Sequence, residues 1–162
     1  MKNLLLIVFI SLFSGVAVIA QDAFKDLKNA EKAIKKYVSD TNNGDQLTKG
    51  IQLLESAFAS DEVMAVAKSW ITKGKVLSQL AEVEMRNKTL DLEGTYVINA
   101  PNAARDAYDA FVKASTIAEK KNEKKEIQSG LSLLEPTLNN YAILAYQNKD
   151  FAGAYDLSLI HI

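Results

Sequence analysis

The chain has 162 residues, a formal net charge of −1 at neutral pH and no cysteine. Those figures suit one globular or solenoid unit with a sizeable core. They exclude a disordered or fibrous class, a disulfide framework, thiolate chemistry, a lipid-modified N-terminal Cys and Cys-type zinc sites. Lys and Glu are interleaved through most of the sequence without a broad basic face, so nucleic acid is not an expected partner. Two prolines and seven glycines are too few punctuators for many short strands, and favour long helices.

Lys2 precedes Leu4-Leu5-Leu6-Ile7-Val8-Phe9-Ile10, and an uncharged apolar stretch then continues to Ile19. Ala20 ends it before the polar Gln21-Asp22. That order matches a secretory signal peptide over residues 1–20, with cleavage expected after Ala20. Ser11, Ser14 and Gly15 interrupt the run and weaken it as a permanent anchor. An uncleaved anchor is the alternative, because the run approaches the length of a span. Cleavage removes Lys2 and no acid; 19 basic residues become 18 against 20 acidic ones, a net charge of −2. Contact with a membrane is expected only through this segment, before cleavage.

From Asp22 onward the apolar spacing is helical. Phe24, Leu27, Ala30, Ile34 and Tyr37–Val38 make one face. The polar cluster Asp40-Thr41-Asn42-Asn43-Gly44-Asp45 predicts a turn. Leu47, Ile51, Leu54, Ala57 and Phe58 mark a second helix, returning antiparallel to the first. Ser60 reads as an N-cap, followed by Asp61 and Glu62 in the first turn of one long helix. That helix carries Val63, Val66, Ala67, Trp70, Gly74, Leu77, Leu80–Ala81 and Glu84–Met85, and its pattern fails around Asn87.

Asp91 to Pro101, with Gly94 and the β-prone Thr95-Tyr96-Val97-Ile98, reads as an inserted loop. Pro101 and Asn102 are expected to open the next helix, with Ala103–Ala104, Ala107, Tyr108, Phe111, Ala114 and Ile117–Ala118 along it. In Glu119-Lys120-Lys121-Asn122-Glu123-Lys124-Lys125-Glu126, like charges fall four residues apart, so a boundary is expected near Asn122. Ile127, Leu131 and Leu134 begin a further helix, which Pro136 is expected to kink or split. Leu138, Tyr141, Ala142, Ala145 and Tyr146 continue its face, and Phe151, Ala154 and Tyr155 open a last helix. Residues 157–162, Leu-Ser-Leu-Ile-His-Ile, are those encoded in frame by a transposase adapter used in sequencing libraries. On that reading His161, the only histidine, is foreign, and the array stops incomplete at residue 156. Tyr141, Ala145 and Tyr155 are then expected to be partly exposed and to favour self-association.

Trp70, Gly74 and Leu77 resemble the W-x3-G-x2-L spacing of helix A in a tetratricopeptide repeat. Ala107, Phe111 and Ala114 resemble its helix B, and residues 139–154 look like a helix A, a Lys-Asp-Phe turn and the start of a helix B. Ala142, Phe151 and Ala154 are its packing positions in that segment, and Gly50, Leu54 and Ala57 form a weaker helix B. Small residues where helices cross let backbones approach, and a larger side chain fills the adjacent hole. Leu77 to Ala107 spans 30 residues where the repeat expects about nine, and the repeat-ending prolines are missing.

The resemblance implies an all-α fold over residues 21–156, antiparallel pairs stacked as an α-solenoid, with the signal helix separate. It also implies an exported, divergent member of Gram-negative type, in the periplasm or outer envelope, that binds an unidentified protein or peptide. The concave groove lined by helix A side chains would carry that binding, with Lys73, Gln79, Asn139 and Asn140 as candidates.

Catalytic signatures are not found. Lys73-Gly74-Lys75 has no upstream glycine loop, the serines have no base beside them, and Glu82 and Glu84 fall on different sides of a helix. Asn87-Lys88-Thr89 fits a glycosylation sequon, a pattern common by chance. No catalytic, cofactor or metal residue is assigned, and a non-enzymatic scaffold is the expectation. An accessory module of a larger envelope enzyme and a membrane-anchored structural protein are the alternatives.

Overall fold

A computed structural model describes residues 2–90 and 103–160, with the backbone alone for 2–20 and 159–160. The expected loop after Asp91, the helix opening at Pro101–Asn102 and His161 lie outside the described residues. The elements are α1 (Lys2–Ser39), α2 (Gly44–Ala57), α3 (Asp61–Met64), α4 (Ala67–Thr89), α5 (Ala103–Ile117), α6 (Lys121–Gln147) and α7 (Phe151–Ile160). All are helical, and there is no strand among the described residues. α1 packs with α2, α4 with α5, and α6 with α7; α4 also touches α1 and α6, and α5 touches α6.

α1 is unbroken from Lys2 past Ala20, so the expected separate N-terminal helix is not set off by a break. Its inner face is Ala23, Leu27, Ala30, Ile34 and Tyr37, at the three- and four-residue steps of one stripe. Phe24, expected on that face, is 38% exposed, because Ala23 takes the inward position one residue earlier. The turn after α1 is built by Asp40. Its carboxylate accepts from the Asn42 backbone N–H at 3.1 Å and the Asn43 amide at 2.9 Å, closing the chain locally before α2.

The single long helix expected after Ser60 is two helices. Ser60 does cap α3, its Oγ accepting from the Val63 N–H at 3.5 Å, but α3 lasts one turn. Val66 then adopts extended backbone, φ −107° and ψ 123°, which a β-branched residue accommodates readily. Trp70 explains how the break is tolerated. Its indole N–H donates to the Met64 carbonyl at 2.7 Å, taking up an acceptor that a continuous helix would have used internally. Val66 is consequently turned outward and Val63 fully inward.

α4 is the centre of the molecule. Ile71, Gly74, Val76, Leu77, Leu80, Ala81, Val83 and Met85 are buried at positions that circle the helix instead of following one stripe. α5 meets it through Ala103, Ala104, Ala107, Ala110 and Ala114, small residues that allow a close approach. Phe111 is the exception among them and is fully buried. It lies against two glycines: a Cβ on Gly74 would come within 2.8 Å of its ring, and one on Gly130 of α6 would press on the ring tip. One aromatic side chain therefore fills the space left by glycines on two different helices. α1 and α2 repeat the device, with Ile34 occupying the space over Gly50.

α6 begins at Lys121, close to the boundary expected from the charge pattern, and the Lys120 N–H donates to the Glu123 carboxylate at 3.4 Å. It runs through Pro136 without splitting. Proline has no N–H for the Ser132 carbonyl, and both residues face water, which can supply the missing donor. Tyr141, expected to be partly exposed, is buried, and its hydroxyl donates to the Ala81 carbonyl of α4 at 3.3 Å. Lys149 closes the α6–α7 turn at φ 62°, and Asp150 caps α7 by accepting from the Gly153 N–H at 2.9 Å. Ala142, Ala145 and Ala154 are half-buried, whereas Tyr146, Phe151 and Tyr155 are each more than half exposed.

Candidate functional site

α1, α4 and α6 lie side by side and leave a groove of about 750 Å³ between them. Each helix contributes one stripe. α1 presents Glu31 and Lys35; α4 presents Lys75, Ser78, Gln79 and Glu82; α6 presents Glu126, Ser129, Leu133, Thr137 and Asn140. Most steps within each stripe are three or four residues, so helical periodicity aims them to the same side. Leu134 and Gly130 form part of the floor, while Leu133 stands 76% exposed on the wall.

Glu126 organises one end. Its carboxylate meets the ammonium of Lys75 at 2.6 Å and that of Lys68 at 2.7 Å, joining the first turns of α6 to α4. Hydrogen bonds from Lys68 and Lys75 pull its carboxyl down to about 2. Along α1 the Glu31–Lys35 pair closes at 2.7 Å. By contrast, the amides of Gln79 and Asn140 and the carboxylate of Glu82 have no partner among the described residues. Those are the groups free to meet a ligand's backbone or a basic side chain.

At the other end of the three helices is a buried polar knot. Glu84 is paired with Lys88 at 2.8 Å, and the Lys88 ammonium sits 5.3 Å above the Tyr141 ring. Burial, and then the Glu84 carboxylate, push the Tyr141 phenol far up. The second Glu84 oxygen and the Tyr37 hydroxyl are buried without a partner among the described residues. A shallower hollow of about 290 Å³, lined by Glu82, Arg86, Thr137 and Asn140 among others, extends the groove toward this knot.

Of the four candidates read from sequence, Gln79 and Asn140 line this groove. Lys73 and Asn139 do not. Lys73 belongs to a different hollow, with its ammonium 4.5 Å from the Phe58 ring centroid and 5.2 Å from that of Trp70. The reason is angular: six residues of helix separate Lys73 from Gln79, a rotation of about 120°, and neighbours such as Asn139 and Asn140 are about 100° apart. In each pair one member lines the groove and the other is turned away from it. Glu82, Glu126 and Thr137 were overlooked. The stripe Lys75–Gln79–Glu82 was there to be found once Gln79 was fixed.

Compared with known proteins, the chain matches no family model, no curated protein and no solved structure. Among the described residues no group of three or more His, Cys, Asp or Glu side chains is placed to hold a metal. Over residues 21–90 and 103–158 no helix is long and apolar enough to cross a membrane.

Proposed function

We propose that this chain is an exported, tetratricopeptide-like scaffold whose α1/α4/α6 groove binds a peptide segment of another protein. The observation that carries the reading is the alternation of the helix pairs. α1, α4 and α6, the first members of their pairs, share one groove, and Phe111 of a second member fills glycine gaps on α4 and α6. That arrangement suits an α-solenoid in which each pair covers its neighbour. The groove combines an apolar wall, at Leu133 and Pro136, with unpaired amides, at Gln79 and Asn140. Such a lining suits an extended or helical peptide better than a reactive small molecule. Export to the periplasm, with residues 1–20 removed, belongs to the same proposal and rests on the signal-like pattern of Lys2 to Ala20.

The test is affinity capture from Gram-negative envelope extracts, using the full chain and a Gln79→Lys/Asn140→Lys variant. A reproducible partner held by the first and lost by the second supports the groove. Capture of no reproducible partner, or equal capture by both, counts against it. A second reading, a membrane-anchored structural protein, is favoured by the unbroken course of α1 from Lys2 to Ser39. Mass spectrometry of the mature protein separates the two: an N-terminus at Gln21 removes the anchored form.

A further inference from the structure

A second hollow, of about 680 Å³, lies between α2, α4 and α5, and shares only Val76 with the groove described above. Its floor is apolar, with Leu54, Val76, Leu77 and Leu80. The rings of Phe58 and Trp70 meet edge to face at one end, centroids 4.9 Å apart. Lys73 is folded over both rings, so its charge is spent on their π faces and on Asp106, which acts on it through space. What remains on the rim is Glu55 from α2, Asp106 and Asp109 from α5, and a single basic residue, Lys113. Glu55, Asp109 and Lys113 form no ion pair among the described residues. The hollow is thus an apolar trough among three helices with an acidic border.

We propose that this trough is a second docking site, and that its occupant is the apolar face of a basic amphipathic helix from another protein. The volume is in the range that buries a few large side chains. The flanking helices make the trough a groove of the kind in which helical anchors three or four residues apart are seated. Lys73 offsets Asp106, which leaves the carboxylates of Glu55 and Asp109 against the one ammonium of Lys113, a net negative border that attracts lysine and arginine and repels acidic helices. Neither the floor nor the border depends on the α1/α4/α6 groove, so the two sites stand or fall separately.

Trp70 is the only tryptophan in the chain and forms part of the trough wall, so its emission reports occupancy directly. The probe is a synthetic helical peptide of leucine and lysine at amphipathic spacing, with a leucine–glutamate peptide of the same spacing beside it. Titrated into the full chain, the leucine–lysine peptide is expected to shift Trp70 emission saturably, and the leucine–glutamate peptide to leave it unchanged. Asp106→Lys/Asp109→Lys is expected to weaken binding about tenfold or more, while Glu82→Lys, in the other groove, leaves it intact. If the double variant melts early, Glu55→Lys on α2 replaces it, with a loss of several-fold expected. An absent or unsaturable shift overturns the proposal. So does equal binding of both peptides, or equal weakening by Glu82→Lys, which would mean attraction by overall charge alone.

Discussion

The junction around Phe111 and the terminal pair α6/α7 use similar residues to opposite effect. At the junction an aromatic ring is fully enclosed by glycines on two helices, and alanines bring α5 against α4. At the terminal pair, Phe151 and Tyr155 sit near Gly153 and Ala154, yet both rings are more than half exposed. Tyr146 and Phe151 touch each other edge to face at 5.5 Å, and among the described residues both stay more than half exposed. The lesson is that an aromatic–small pattern specifies a shape, and a neighbouring helix decides whether that shape becomes core. One consequence is unequal sensitivity to mutation.

The strongest way to sharpen that contrast is Phe111→Ala. Loss of a fully buried ring from a close-packed site is expected to cost about 3–5 kcal/mol, measured by denaturant unfolding. Gly130→Ala comes next. Alanine favours the helix by about 1 kcal/mol, but its Cβ would be driven into the Phe111 ring; a net loss of about 1–3 kcal/mol is expected in the same assay. A neutral or stabilising Gly130→Ala would break the comparison at its root.

Glu126→Gln is expected to be milder, about 1 kcal/mol at neutral pH, because both lysines remain about half exposed and solvent screens the pairs. The sign follows from a carboxyl held at about 2 in the folded state against the ordinary value near 4 when unfolded. The stabilisation is complete above the unfolded value and is lost as pH falls through about 2. Melting temperatures of the two proteins should therefore converge between about pH 4 and pH 2. The smallest effect belongs to the terminal pair. Phe151→Ala and Tyr155→Ala should each change stability by no more than about 0.5 kcal/mol. The same substitutions should reduce self-association in sedimentation velocity, since these rings form the exposed apolar patch.

How much of this was legible in the sequence varies with the range of the interaction. The inner stripe of α1 from Leu27 to Tyr37, the helix α2 and the turn at Asp40 follow from local spacing and turn chemistry and were readable, whereas the unbroken course of α1 from Lys2 was not. Gly74 and Phe111 were noticeable through their spacing, although 37 positions separate them in the numbering. Gly130 was not, because it lies among residues that read as an ordinary leucine-rich helix face. The break at Val66 was hidden for a different reason. The apolar period continues across it, and the group that makes it tolerable, the Trp70 indole, acts from the next helix over a distance no periodicity encodes. Within the groove, Gln79 and Asn140 were within reach of pattern reasoning, whereas the Lys68–Glu126–Lys75 bridge depends on how α6 is set against α4.

Gly130 belongs to the third pair, yet it completes the enclosure of a ring from the second. The chain's modularity is therefore offset from its hairpins: the seam suggested by the charged stretch at Glu119–Glu126 cuts through a folding unit. A gene spliced at that seam would yield an amino-terminal piece with Phe111 stripped of one wall, open to proteases and chaperones. A cut placed after Leu134 would keep the enclosure whole.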